Sequence, residues 1–125
     1  MERTPKLITA LNAVTATTTS EAIDITSAKK VTLLVTRAAN AGGTSAFSVS
    51  GSIDGTTYVA LNSLIEDTTN TNVQNYTRVA SVSIANADGS KIVSLDLCKN
   101  AFTHIKVTVT ETADGTHTAK VLVEY

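Results

Sequence analysis

Hydrophobic and polar residues alternate along several stretches of the chain. In residues 47–53, three serines separate the members of a mostly apolar set: Phe47, Val49, Gly51 and Ile53. Successive side chains of a β-strand point to opposite faces, so this pattern predicts a strand with one solvent-facing side. Residues 30–37 alternate in the same way, but Leu34 makes their second face partly apolar, which predicts a central strand.

Further alternating runs cover residues 77–85, 91–97, 104–111 and 117–125. No window of ten or more residues has a convincing helical period of 3.6. The nearest candidate, residues 21–30, is interrupted by Asp24 and Thr26 and is interpreted as a strand and a loop. We therefore expect no substantial helix.

Three Asp-Gly dipeptides lie between alternating runs, and each predicts a β-hairpin because glycine accepts the positive φ of tight turns. They are Asp54-Gly55, Asp88-Gly89 and Asp114-Gly115. The first hairpin needs an odd loop that pairs Phe47 and Val49 with Val59 and Leu61 in one of two registers.

The apolar faces predict the registers of the other two hairpins. A two-residue type I′ turn at Asp88-Gly89 pairs Ile84 with Val93 and Val82 with Leu95. A three-residue loop over residues 113–115, with Gly115 left-handed in a bulge, gives the pairs Val109–Ala119, Val107–Val121 and Ile105–Val123.

These runs predict an all-β protein, an antiparallel β-sandwich of Ig-like or jelly-roll type with about seven to nine strands. Residues 13–125 form its single domain, and residues 1–12 precede it as an extended arm, where Pro5 opposes helix and central-strand pairing. The alternative is that this arm is the first strand of the same sheet. Residues 62–75 are predicted to be a long polar loop.

The composition favours β-sheet, and the charge balance does not indicate a class of partner. The 125 residues include 22 Thr and 13 Val, β-branched residues that suit a pleated surface. The formal net charge of -1 provides neither the basic footprint of a nucleic-acid-binding protein nor a polybasic surface for membranes. The first residues lead into no sustained apolar segment, so we expect a soluble protein without a signal peptide.

Candidate catalytic and metal-ligating residues are few. The predicted register places His117 across from Glu111 and His104 across from Glu124, on opposite faces, which indicates surface charge pairs rather than a shared metal site. The single Cys98 is interpreted as a small buried residue at a strand end. An oxygen-ligand group for a hard cation is a weak alternative, formed by Asp67, Asn70 and Asn72. We expect a protein without catalytic activity and without a cofactor.

Two segments resemble small all-β virion proteins of tailed bacteriophages. Residues 47–61, Phe-Ser-Val-Ser-Gly-Ser-Ile-Asp-Gly-Thr-Thr-Tyr-Val-Ala-Leu, are similar to a recurrent unit of strand, Asp-Gly-Thr turn, aromatic residue and strand in those proteins. Residues 100–110, followed by Ala113-Asp114-Gly115-Thr116, look like their closing hairpin. Within that group, the chain looks most like a capsid decoration (cement) protein.

The resemblance implies a non-enzymatic protein on the outer capsid surface, made in the host cytoplasm, that binds the major capsid protein and forms dimers or trimers. We expect its contacts in the arm, through Leu7, Ile8 and Leu11, and in the predicted loop, through Leu64 and Ile65. Two alternatives stay open: a phage tail or baseplate accessory domain, and a carbohydrate-binding module. The latter predicts Tyr58, Tyr76 and Phe102 exposed together.

Overall fold

The computed structural model describes residues 4–67, 75–97, 100–112 and 115–125. These residues form β-strands and no helix. The strands are β1 (Lys6–Val14), β2 (Thr18–Thr19), β3 (Ile23–Asp24), β4 (Lys30–Ala38), β5 (Thr44–Ser52), β6 (Val59–Asp67), β7 (Asn75–Val79), β8 (Val82–Ala85), β9 (Gly89–Asp96), β10 (His104–Glu111) and β11 (Thr116–Glu124). The all-β prediction is confirmed, with eleven strands in the described ranges rather than seven to nine.

The strands join in one antiparallel, nearly closed, barrel-like sheet. Its order is β1-β11-β4-β9-β6-β5-β10-β2, and β3, β7 and β8 pair with β10, β6 and β5 respectively. Strand β6 makes the sheet continuous, because its first residues pair with β5 and its later residues with β9 and β7. Because β6 takes part in both halves of this sheet, a sandwich of two separate sheets is not confirmed.

Inward-pointing residues of all the long strands meet in a single core. In β4, Val31, Leu33 and Val35 are at most 1% exposed. Strand β4 lies between β11 and β9, which confirms that it is a central strand. At the two ends of the sheet, β1 and the segment that contains β3 line a narrow cleft of about 230 Å³.

The hairpin at Asp54-Gly55 is confirmed. Strands β5 and β6 pair with Val49 opposite Leu61 and Gly51 opposite Val59, so an odd number of residues, 52–58, lies between the last paired positions. The Val49–Leu61 pair agrees with the prediction, whereas Phe47 pairs with Val82 of β8. Gly55 has a φ of 80°, the left-handed conformation for which the turn needs glycine.

The other two hairpin predictions are wrong. Strand β8 pairs with β5 while β9 pairs with β4 and β6, and β10 and β11 likewise have different neighbours. Gly89 is not among the described glycines with positive φ, so the type I′ turn does not form. Residues 113–114 of the predicted three-residue loop lie outside the described residues. Ile84 and Val93 both point into the core. The alternation of their strands did not distinguish two paired strands from two strands that face each other across the core, because both arrangements bury the same residues.

Residues 6–14 are strand β1, which pairs with β11 from Lys6 opposite Val123 to Val14 opposite His117. Of the two alternatives for the N-terminal segment, the described part is thus an edge strand of the same sheet. The predicted loop at residues 62–75 is wrong where the structure describes it. Strand β6 runs to Asp67 and pairs with β7 from Asn75, because pairing with neighbouring strands overrides the weak β-propensity of Asn and Asp; residues 68–74 lie outside the described residues.

Candidate interaction surfaces

The outer face of the β1-β11-β4-β9-β6 region carries apolar side chains where a solvent-facing sheet is normally polar. Since Val31, Leu33 and Val35 point inward, Leu34 points outward together with its cross-strand partners Lys120 and Ile92. We name as the outer stripe the apolar residues that share this face: Leu7, Leu122, Leu34, Ile92 and Leu64.

The register makes the outer stripe continuous. Leu7 lies opposite Leu122, and Leu34 lies opposite Ile92. Leu122 pairs with Thr32, two residues from Leu34 on the same face, so Leu122 and Leu34 are diagonal neighbours within reach of long side chains. Leu7 is 64% exposed and Ile92 is 72% exposed. Large apolar side chains at this exposure mark an interaction surface when they lie together.

Charged residues flank the outer stripe on both sides. Lys120 is exposed beside Leu34, and Glu66 is exposed on β6. Arg78 on β7 forms an ion pair with Asp96 on β9. A groove of about 610 Å³ opens at this end of the face, lined by Leu64 and Asp96 among others.

A second apolar surface, the turn patch, surrounds the Asp54-Gly55 turn. Its residues are Ile53, Val59 and Phe102, of which Ile53 is 71% and Val59 57% exposed, and they border a groove of about 360 Å³. Gly51 forms the floor of this groove. A Cβ atom at Gly51 would lie 2.6 Å from Leu61 Cδ1 and 3.0 Å from Phe102 Cδ1, so the groove depends on the missing side chain.

Hydrogen bonds hold the turn below this patch in one conformation. The Asp54 carboxylate accepts from the backbone N–H groups of Thr57 at 2.8 Å and Thr56 at 2.9 Å. These backbone donors, with the Ser52 hydroxyl, hold the pKa of Asp54 well below its usual range. The turn patch is therefore presented by a preorganised backbone, which lowers the entropy lost on binding.

The predicted contact residues separate into outward and inward groups. Leu7 and Leu64 lie on the outer stripe, at its two ends. Leu11 is 2% exposed and belongs to the core, Ile8 is half-buried against it, and Ile65 is half-buried beside a groove of about 530 Å³ that Ile92 also lines. Leu34, Leu122 and Ile92 were not predicted to lie on this surface. The signal in the sequence was Leu34, an apolar residue between the outward Thr32 and Thr36 of β4.

The His117–Glu111 contact is confirmed, but its predicted surface location is wrong. His117 Nε2 lies 2.6 Å from Glu111 Oε2, and the His117 side chain is fully buried. It packs beside Arg37, its cross-strand neighbour, which is 1% exposed. Phe47 meets the His117 ring edge-on, with centroids 6.2 Å apart. These residues form an interior polar cluster that sequence analysis missed.

The Arg37 guanidinium stabilises that interior cluster through backbone carbonyls. Its Nη1 donates to Gly43 O at 3.0 Å and Ile84 O at 3.1 Å, and Nη2 donates to Gly42 O. These bonds tie β4 to the β4–β5 connection and to β8. Gly42 and Gly43 turn the chain back toward the guanidinium with φ values of 100° and 69°.

The predicted pairing of His104 with Glu124 is wrong. His104 lies opposite Ser52 and Asp24, and its Nδ1 is 2.9 Å from Thr103 Oγ1, whereas Glu124 pairs with Lys30. No group of three or more potential metal ligands occurs among the described residues. Cys98, Asn70, Asn72 and the side chain of Asp67 lie outside what the structure describes.

The three candidate aromatic residues do not form one platform. Tyr76 is 60% exposed at the 610 Å³ groove, while Phe102 belongs to the turn patch. Tyr58 is half-buried, with Lys106 Nζ 4.4 Å from its ring centroid. The carbohydrate-binding alternative therefore loses its main support. In the described ranges, no helix has the length and hydropathy to cross a membrane.

Comparison with known proteins identifies one informative structural likeness. No protein-family model and no curated protein sequence matches the chain. The solved structure titled "Crystal structure of SPBc2 prophage-derived protein YomS" superimposes with a TM-score of 0.65 and 12% sequence identity, covering 97% of this chain and 94% of that one. The chain thus shares its fold, over nearly its whole length, with a prophage-derived protein.

Proposed function

We propose that this chain is a non-enzymatic structural protein of a bacteriophage particle, a capsid decoration protein that binds the major capsid protein on the outer surface of the head. The observation that carries the proposal is the whole-chain likeness to a prophage-derived protein, with a TM-score of 0.65. Fold alone does not imply function, so a decoration protein must also have a surface suited to such binding.

The turn patch provides that surface. A decoration protein must add apolar contacts to an assembled shell without reorganising itself, and the Asp54 hydrogen bonds hold Ile53 and Val59 on a fixed turn. Because many copies bind one shell, a small contact at each copy adds up to a large stabilisation of the shell.

The test is co-sedimentation of the purified protein with expanded phage heads that lack it. We expect saturable binding, and we expect Ile53→Ser to abolish most of it, because Ile53 is 71% exposed and supports little of the fold. Ile92→Ser is the matched control: it removes an isoleucine of equal exposure from a different surface, and binding at saturation should persist.

Deleting residues 1–12 is unsuitable for this test, because the deletion removes most of β1 and the buried Leu11. Failure of the folded wild-type protein to bind heads would overturn the decoration role. Binding to isolated tails instead would favour the tail accessory alternative. Head binding that is indifferent to Ile53→Ser would keep the role and refute the turn patch as its contact.

A further inference from the structure

We infer that the outer stripe is a self-association surface, through which two copies of this chain pack face to face about a two-fold axis. This inference concerns a different surface from the capsid contact proposed above and can fail independently of it. It rests on the chemistry of the residues that face each other when this surface of one copy is stacked on the same surface of a second copy.

Two outward rows define the relevant geometry. In one row, Lys120, Leu34 and Ile92 are consecutive cross-strand partners on β11, β4 and β9. Glu66 lies on β6 two residues beyond Leu64, where the last β6–β9 pair is formed, and Glu66 and Ile92 line the same 530 Å³ groove. In the other row, the partners are Leu7, Leu122, Thr32, Ser94, Leu64 and Arg78.

The proposed two-fold axis is parallel to the strands and lies between β4 and β9. Rotation about it places each row of one copy against the same row of the second copy, with β4 facing β9 and β11 facing β6. Leu34 then meets Ile92 of the second copy, and Leu122 meets Leu64 of the second copy. Lys120 meets Glu66 of the second copy, and by symmetry each of these contacts occurs twice. Strands of two packed sheets align within about 30°, so this arrangement is compatible with sheet twist.

Charge complementarity favours a second copy over an unrelated partner. Lys120 on β11 and Glu66 on β6 lie on opposite sides of the proposed axis, as a self-complementary surface requires and a surface for another protein does not. Farther along the strands, the same rotation places Lys30 opposite Asp96 of the second copy. Within each copy, Asp96 also forms an ion pair with Arg78. No contact in these rows brings like charges together.

Short side chains separate the apolar residues of this face. They include the hydroxyl side chains of Thr32 and Ser94, which allow close approach of two sheets. Thr36 Oγ1 and Ser90 Oγ are already hydrogen-bonded to each other at 2.9 Å on this face, so one of their two hydroxyl donors keeps its partner when the face is buried.

The test is sedimentation equilibrium of the full-length protein. We expect a dimer, at twice the 13.0 kDa chain mass. Ile92→Ser should raise the dissociation constant roughly a hundredfold, about tenfold for each of two equivalent sites. Ile53→Ser, at 71% exposure against 72% for Ile92, is the matched control and should leave the dimer intact.

Charge reversal provides the specific readout. Lys120→Glu and Glu66→Lys should each raise the dissociation constant at least about tenfold through like-charge contacts, and the double variant should restore it. Glu21→Lys, an exposed reversal away from this face, is the control, and circular dichroism verifies folding of each variant.

A wild-type protein that stays monomeric at about 100 µM would overturn the inference, since weak specific pairs still associate at that concentration. So would a dimer that tolerates Ile92→Ser, or one whose double charge reversal fails to recover. A monomeric protein that still binds heads would refute this dimer and leave the capsid proposal standing.

Discussion

Replacement of Arg37 by methionine tests the structural role of the interior polar cluster. Arg37 is 1% exposed and donates to the carbonyls of Gly42, Gly43 and Ile84. Hydrogen bonds from a charged donor contribute about 1.5–3 kcal/mol each. Removing a buried guanidinium also removes its desolvation penalty of several kcal/mol, and methionine retains much of the packing of the aliphatic stem.

The balance predicts that Arg37→Met lowers the free energy of unfolding by about 2–4 kcal/mol. At about 4 °C per kcal/mol for a domain of this size, Tm should fall by about 8–16 °C. Thermal and urea unfolding monitored by circular dichroism measure both quantities.

Arg78→Met is the matched control, because the Arg78 side chain is 66% exposed and its ion pair is largely screened; it should lose at most about 1 kcal/mol. Arg37→Lys should lie between the two variants, since an ammonium keeps the charge but cannot reproduce the planar fork of donors. If Arg37→Met is no less stable than Arg78→Met, the assignment of a stabilising role to the buried guanidinium is refuted.

Three further predictions concern the core, the turn and the groove. Leu11→Ala should destabilise the protein by about 2–4 kcal/mol, whereas Leu7→Ala on the same strand should change stability by at most about 0.5 kcal/mol, because Leu11 is 2% and Leu7 64% exposed; equal losses in urea titrations would contradict the assigned faces. The depressed pKa of Asp54 stabilises the fold at neutral pH, and this contribution is lost as pH falls below about 4. Between pH 7 and 2, Tm should therefore fall less for Asp54→Asn than for wild type. Parallel pH profiles of Tm would contradict the stabilising role of the Asp54 carboxylate. Gly51→Ala should cost about 1–3 kcal/mol in chemical denaturation, since its Cβ would lie 2.6 Å from Leu61 Cδ1; unchanged stability would mean that the floor of the groove yields freely.

The predicted side-chain directions of β4 and β5 agree with the structure. Alternation identified the inward set of β4 and β5, from Val31 to Val35 and from Phe47 to Gly51, because side-chain direction in a strand has a period of two whatever its neighbours. The Asp54-Gly55 hairpin followed for a related reason. Its two strands are adjacent in sequence, and its turn is stabilised by hydrogen bonds within residues 52–57.

Predictions that depend on which strands become neighbours did not hold. Ile84 and Val93 both point into the core from strands that pair elsewhere, and His117 contacts Glu111 although β10 and β11 are not paired. The interior cluster was not predicted for the same reason. A basic residue in a Thr- and Val-rich strand predicts a solvated side chain unless the carbonyls that accept its hydrogen bonds are known.

The sequence by itself therefore determined the all-β class, the inward and outward sets of individual strands, and the first hairpin. Only the tertiary structure decided the strand order, the burial of Arg37 and His117, and the alignment of Leu7, Leu122, Leu34, Ile92 and Leu64 on one face. The physical reason is that side-chain alternation depends on the local backbone, whereas strand order depends on long-range hydrogen bonding and packing that many registers satisfy equally well in sequence.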